Sequence, residues 1–250
     1  MSKSALMVVE GGRTEVRLFS RLLTMYLPSN RAEIYTYNTT LYELAEQMFQ
    51  GDELDDDLDL IQVLKESKTG PADRKVLEQK FTDIYLVFDF DPHYQKCNFD
   101  RLKKLCDFFN DSTSNGKLYL NFPMVESYRH FKALDESYLS LGVRIEDIPR
   151  YKEIVGAEGC SKLAQLSKIS KKTFNQIIIL NLKKAEILVQ LPAGLSIEEG
   201  YSECTMNSVL EKELDLYKKG LVLVLNTSLF VVIDYNPSRF FGGIFNMLSD

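Results

Sequence analysis

The chain has 250 residues, with 30 Lys and Arg against 36 Asp and Glu, for a formal net charge of −6. Hydrophobic residues at 45% and charged residues at 26% are the balance of a globular chain, which excludes disorder and a polybasic nucleic-acid binder. Six of the 36 acids and no base fall in GDELDDDLDL at 51–60, so the rest of the chain holds 30 acids against 30 bases.

Residues 4–9 (SALMVV) predict a strand ending at Glu10-Gly11-Gly12. Val16, Phe19, Leu22, Leu23 and Tyr26 then recur at helical spacing until Pro28, so the opening reads strand, glycine turn, helix. AEIYTYN at 32–38 predicts a second strand and LYELAEQMF at 41–49 a second helix, with helical and loop pieces following to about residue 80. TDIYLVFDFD at 82–91 is the strongest strand, apolar enough to be buried on both faces as in a parallel sheet. A helix carrying Leu102, Leu105, Phe108 and Phe109 follows, then a turn-rich loop at 110–116, a strand at 117–122 and helical character from Val125 to Leu139. Strand and helix alternate up to about residue 125, which predicts an α/β fold with a mainly parallel sheet flanked by helices. Residues 145–219 predict a mostly helical C-terminal part; the apolar run at 220–233 fits a buried helix or a strand equally. The expected division is 1–140 and 141–250. That run has 14 residues, short of the roughly 20 a membrane span needs. Cysteines at 97, 106, 160 and 204 lack zinc-ribbon or CxxC spacing, and with no signal-peptide pattern the expectation is a cytoplasmic protein with no membrane partner.

Three acidic features fall where strands end, the edge at which parallel sheets bind ligands. Glu10 closes the first strand, and Glu15 on the first helical turn returns to the same mouth. Asp89-Phe90-Asp91-Pro92 closes the strongest strand, and two carboxylates brought together favour a cation such as Mg²⁺. Glu126 and His130 in NFPMVESYRHF share a face if the segment is an α-helix. For each pair the plain alternative is a solvated acid at a strand or helix end, or a structural histidine.

Together, VVEGGRTEVRLF, VFDFDPH and NFPMVESYRHF resemble the motif series of the TOPRIM superfamily, a glutamate closing the first strand and a DxD closing a later one. The series is most similar to the small TOPRIM-like nucleases of bacterial phage-defence and abortive-infection systems, the RloB-like and AriB-like groups, over about the first 131 residues. The resemblance implies a TOPRIM-like catalytic domain at 1–140, and a metal-dependent endonuclease that hydrolyses phosphodiester bonds in DNA or RNA. It implies Mg²⁺ or Mn²⁺ held by Glu10, Glu15, Asp89 and Asp91, with Glu126 completing the catalytic acids. A partner protein of the same defence system, such as an ATPase, is implied as well. The chain departs from the pattern in the Pro-His-Tyr after its DxD, where the resemblance assigns His93 no role.

A nuclease must also hold a polyanion. Arg13 in the first helical turn, and Lys162, Lys168, Lys171, Lys172, Lys183 and Lys184 in an acid-free stretch, are the candidate nucleic-acid contacts; the alternative is a solvated helix face. Two other functional readings stay open. One is a nucleotide-sugar transferase, which also uses DxD. The other is a non-catalytic TOPRIM-like binding or regulatory subunit. The acidic decamer reads as a solvated insertion or as a patch that covers the basic track.

Overall fold

The computed structural model describes residues 4–27, 31–55, 57–67 and 71–248. The chain forms two compact units, Met1–Leu120 and Asn121–Asp250. No helix among the described residues is long and apolar enough to cross a membrane.

The first unit is α/β. Its elements are β1 (Ser4–Val9), α1 (Thr14–Tyr26), β2 (Arg31–Thr36), α2 (Leu41–Met48), the short pair β3 (Phe49–Gln50) and β4 (Glu53–Leu54), α3 (Leu60–Glu66), α4 (Pro71–Leu77), β5 (Asp83–Asp89), α5 (Phe99–Phe108), β6 (Asn110–Asp111) and β7 (Gly116–Phe122). Sheet order runs β7-β5-β1-β2, with β1 parallel to both β2 and β5. Leu6 to Val9 and Tyr85 to Phe88 are no more than 1% exposed, as continuous apolar strands covered on both faces must be. α1 buries Leu18, Phe19, Leu22 and Tyr26, one stripe at helical spacing. Each such buried side chain stabilises the fold by about 1.5–3 kcal/mol. Side-chain caps fix where later helices start: Thr40 accepts from the Glu43 N–H, Asp59 from Ile61, and Asn98 from Asp100 and Arg101.

The acidic stretch is largely exposed, and its first part is ordered as a hairpin of this unit. Phe49 and Gln50 pair with Leu54 and Glu53 in an antiparallel hairpin, Asp55 accepts from the Asp57 N–H, and Asp59 caps α3. Arg101 on α5 ties the hairpin down, donating to the Glu46 carboxylate at 2.5 Å and the Gly51 carbonyl at 2.6 Å while lying 5.2 Å over the Phe49 ring. Lys104 donates to the Asp52 carbonyl at 2.6 Å.

The second unit is mostly helical. The chain leaves β7 through a cis Phe122–Pro123 bond into 3₁₀ turns at Val125–Arg129 and Glu136–Ser140. β8 (Gly142–Arg144), α6 (Tyr151–Glu158), α7 (Lys171–Val189), α8 (Ile197–Glu203) and α9 (Met206–Tyr217) follow. The apolar run at 220–233 resolves into β9 (Leu221–Leu223), β10 (Leu225–Asn226), a 3₁₀ turn and α10 (Val231–Tyr235), before α11 (Pro237–Leu248). β9 pairs with β8, and β10 pairs with Asn121 and Phe122 at the end of β7.

Candidate functional site

After β2 the chain crosses back past β1 to place β5 on its other side. This reversal makes a topological switch point between the carboxyl ends of β1 and β5, where parallel α/β sheets open a ligand crevice. Glu10 follows β1 and Asp89 closes β5. The Glu10 N–H donates to the Val87 carbonyl at 3.2 Å, and the Glu10 carboxylate accepts the Asp89 N–H at 3.1 Å. The Glu10 side chain is therefore bonded to the Asp89 backbone across the switch point, 79 residues on in the chain.

Glu15 sits on the first turn of α1, only 8% exposed, with its carboxylate folded back on Gly11. A Cβ at Gly11 would lie 2.7 and 2.9 Å from the two Glu15 oxygens, so glycine is needed there for close approach. The clash is with the far end of a flexible side chain. Gly11→Ala is therefore expected to melt within about 4 °C of wild type, under 1 kcal/mol for a chain of this size. It displaces the Glu15 carboxylate, so Mn²⁺ affinity measured by calorimetry should drop; unchanged affinity would remove Glu15 from the site.

Between the two acids of the DxD, Phe90 is fully buried and stacks on Phe99 at 6.2 Å. It pins the strand end, after which Asp91 opens a turn: its carboxylate accepts the His93 N–H at 3.2 Å and its carbonyl the Tyr94 N–H at 3.3 Å. The turn is fastened to α2. Tyr94 donates to Glu43 at 2.6 Å and Lys96 at 2.9 Å, and both bonds, Tyr94 first, lower the Glu43 pKa. Arg13 is exposed at the start of α1, beside the glycines.

Two residues at this mouth carry no signal in the sequence. Tyr42 on α2 is 3% exposed, and its ring stacks on Tyr94 with centroids 5.6 Å apart. Burial first, then Cys97, Asp91 and Glu10, hold its pKa well above the ordinary tyrosine range, so the hydroxyl stays protonated. Cys97 is half-buried, and its thiol pKa is raised by burial and by Asp91, against Tyr42. An apolar-patterned helix position gives no hint that this ring stacks on Tyr94 from the turn after β5.

Among the described residues no three His, Cys, Asp or Glu side chains converge as a ready-made metal cage. The all-oxygen donor set nevertheless suits Mg²⁺ or Mn²⁺: Mg²⁺ keeps several waters and binds through one or two carboxylates plus substrate phosphate.

The second unit holds the remaining predicted residues. Glu126 is 4% exposed, with the Lys152 ammonium 3.4 Å from its carboxylate. The segment is a 3₁₀ turn that ends at His130, so the shared α-helical face expected of Glu126 and His130 does not form. His130 is fully buried, shares a 3.0 Å hydrogen bond with Tyr151 and lies 3.7 Å from Glu158. Burial lowers its pKa against the pull of Glu158. It is a structural histidine.

Lys162, Lys168, Lys171, Lys172 and Lys183 are exposed, the last 3.7 Å from Glu136. Lys184 is a correction. It is 1% exposed, donates to the Tyr138 and Leu141 carbonyls at 2.9 and 2.5 Å, and lies 4.3 Å over the Tyr138 ring. A polyanion cannot reach it. Burial brings its pKa down to about 7, against Glu213. Burial likewise pushes Glu213 up to about 8, against the Leu223 N–H and Lys184.

This pair sets a pH signature. From about pH 5 to 7 the folded state keeps the Glu213 proton that an unfolded glutamate has lost, so stability falls as pH rises. From about pH 8 to 10 folded Lys184 is neutral while an unfolded lysine is charged, so stability rises again. The contribution is least near neutral pH. Relative to Glu213→Gln, wild type should lose on the order of 3 kcal/mol between pH 5 and 8, read by denaturant unfolding at each pH. Parallel profiles for the two proteins would refute the assignment.

Comparison with protein-family models, with curated proteins and with solved structures gave no match.

Proposed function

We propose that the chain is a metal-dependent endonuclease that hydrolyses phosphodiester bonds in DNA or RNA, acting as an effector of bacterial anti-phage defence. The observation that supports it is the bonding of Glu10 to Asp89 across the switch point, with Glu15 folded onto the Gly11 turn and Asp91 opening the next one. When bound there, Mg²⁺ or Mn²⁺ supplies a Lewis acid for a phosphate oxygen and lowers the pKa of an attacking water. Asp89 and Asp91 supply the charge that holds the ion. Glu10 fixes the Asp89 backbone, and with its carboxylate at the same edge it is placed to take a proton from water. Arg13 and the exposed Lys162, Lys168, Lys171, Lys172 and Lys183 offer the positive charge that a phosphate backbone requires. Glu126, buried beside Lys152, is the least supported of the proposed catalytic acids.

The test is cleavage of DNA and of tRNA-sized RNA by purified protein, with Mg²⁺ or Mn²⁺ and with chelator, using Glu10→Ala as the control. Metal-dependent cutting that Glu10→Ala loses is the expected result. The absence of a preassembled three-ligand group among the described residues favours a second reading, a non-catalytic nucleic-acid-binding subunit. That reading predicts binding with no cutting under any metal.

A further inference from the structure

We propose that the groove between the β3–β4 hairpin and α5 docks a basic, apolar-anchored segment of a partner protein. The groove is lined by Glu53 and Leu54 of the hairpin and by Lys104, Asp107 and Phe108 of α5, and its volume is about 530 Å³. That is the size of a ligand site, but this one is open to solvent, whereas a small molecule is held where most of its surface is enclosed. An open groove suits a segment of chain that lays one face down and keeps the other in water.

The lining sets the chemistry of the occupant. Leu54 and Phe108 are half-exposed and offer apolar surface to an anchoring side chain. Glu53 and Asp107 are exposed beside them, and the stretch 51–60 around the hairpin holds six acids and no base. The Asp52 side chain is 90% exposed. Lys104, the base of the lining, is turned to the hairpin and donates to the Asp52 carbonyl at 2.6 Å. A partner's ammonium or guanidinium is therefore attracted to this groove, and a phosphate backbone is repelled. The groove is also preformed. Lys104 ties the hairpin to α5, and Arg101 does so through Glu46, the Gly51 carbonyl and the Phe49 ring, so docking has little left to order. This surface is independent of the metal-dependent reading above, and neither requires the other.

The experiment is binding of a short fluorescent peptide rich in lysine and leucine to the full chain, read by anisotropy at low and high salt. Its controls are one peptide with serine for leucine and one with glutamate for lysine. The protein is used as wild type, as Glu53→Lys/Asp107→Lys in the groove, and as Glu203→Lys/Glu211→Lys, the same charge change in the second unit. All four substitutions fall at exposed positions, and both variants should melt within about 4 °C of wild type. The lysine–leucine peptide should bind wild type and weaken as salt rises. It should bind Glu53→Lys/Asp107→Lys roughly tenfold more weakly and the second-unit variant as it binds wild type. The serine peptide should lose roughly tenfold as well, and the glutamate peptide should not bind. No binding of the lysine–leucine peptide to wild type overturns the proposal. Equal loss in the two variants, or equal affinity for the serine peptide, also overturns it, because net charge alone would then be the attraction. A dimer in sedimentation that Glu53→Lys/Asp107→Lys dissociates overturns it too, because the occupant would then be a second copy of the chain.

Discussion

Asp89→Asn/Asp91→Asn is expected to cleave nucleic acid roughly 10²–10³-fold more slowly than wild type while remaining folded. The magnitude follows from the metal's share of transition-state stabilisation, several kcal/mol, at 1.36 kcal/mol per factor of ten. Both changes are isosteric, and Asp91 keeps an oxygen to accept the His93 N–H that shapes its turn. Glu10 accepts the Asp89 backbone N–H, a bond the Asn side chain leaves untouched. The loss therefore reports on charge at the mouth and not on its architecture. Steady-state cleavage at several Mn²⁺ concentrations reads it; rates equal to wild type would mean the DxD is only a strand end.

Lys184→Met should destabilise the second unit by about 1–3 kcal/mol for each buried carbonyl left without its donor. The Lys184 nitrogen is the donor to two carbonyls, those of Tyr138 and Leu141. A methionine fills the space but leaves those carbonyls without a donor and one Glu213 oxygen, already lacking a hydrogen-bond partner among the described residues, further isolated. The neighbouring Lys183→Met, at an exposed position, should cost under about 0.5 kcal/mol. Denaturant unfolding separates the two. If Lys184→Met instead folds as wild type and loses nucleic-acid binding, the buried placement is wrong.

Lys184 also shows what the sequence holds in plain sight. Phe174, Ile177, Ile178, Asn181, Lys184 and Ala185 fall at helical spacing on one buried stripe of α7, and Lys183 falls outside it. Periodicity separates the two lysines; counting charges groups them. The α/β half was legible because its signals are strong and local. The apolar runs at 4–9 and 82–91 form β1 and β5, and the carboxylates at their ends lie at the switch point. The segment after β7 was read as an α-helix, yet it forms a 3₁₀ turn in which Val125, Glu126, Ser127 and Tyr128 are all buried, so no single-face period marks it. In the run at 220–233 every position is apolar or small, so no period distinguishes strand from helix, and tertiary pairing with β8 and β7 decides. Tyr42 was invisible for a different reason. What it faces depends on the turn after β5, some 50 residues away, since Lys96 and Tyr94 reach back to Glu43 at separations of 53 and 51.

The most direct test of the central claim is a crystal structure grown with Mn²⁺ and read by anomalous scattering. The carboxylate mouth predicts a peak at the carboxyl ends of β1 and β5, with oxygens of Asp89 or Asp91 within about 2.0–2.6 Å of the ion. A well-ordered mouth with no peak at saturating Mn²⁺, or a peak only at the acidic hairpin of residues 51–59, would contradict it.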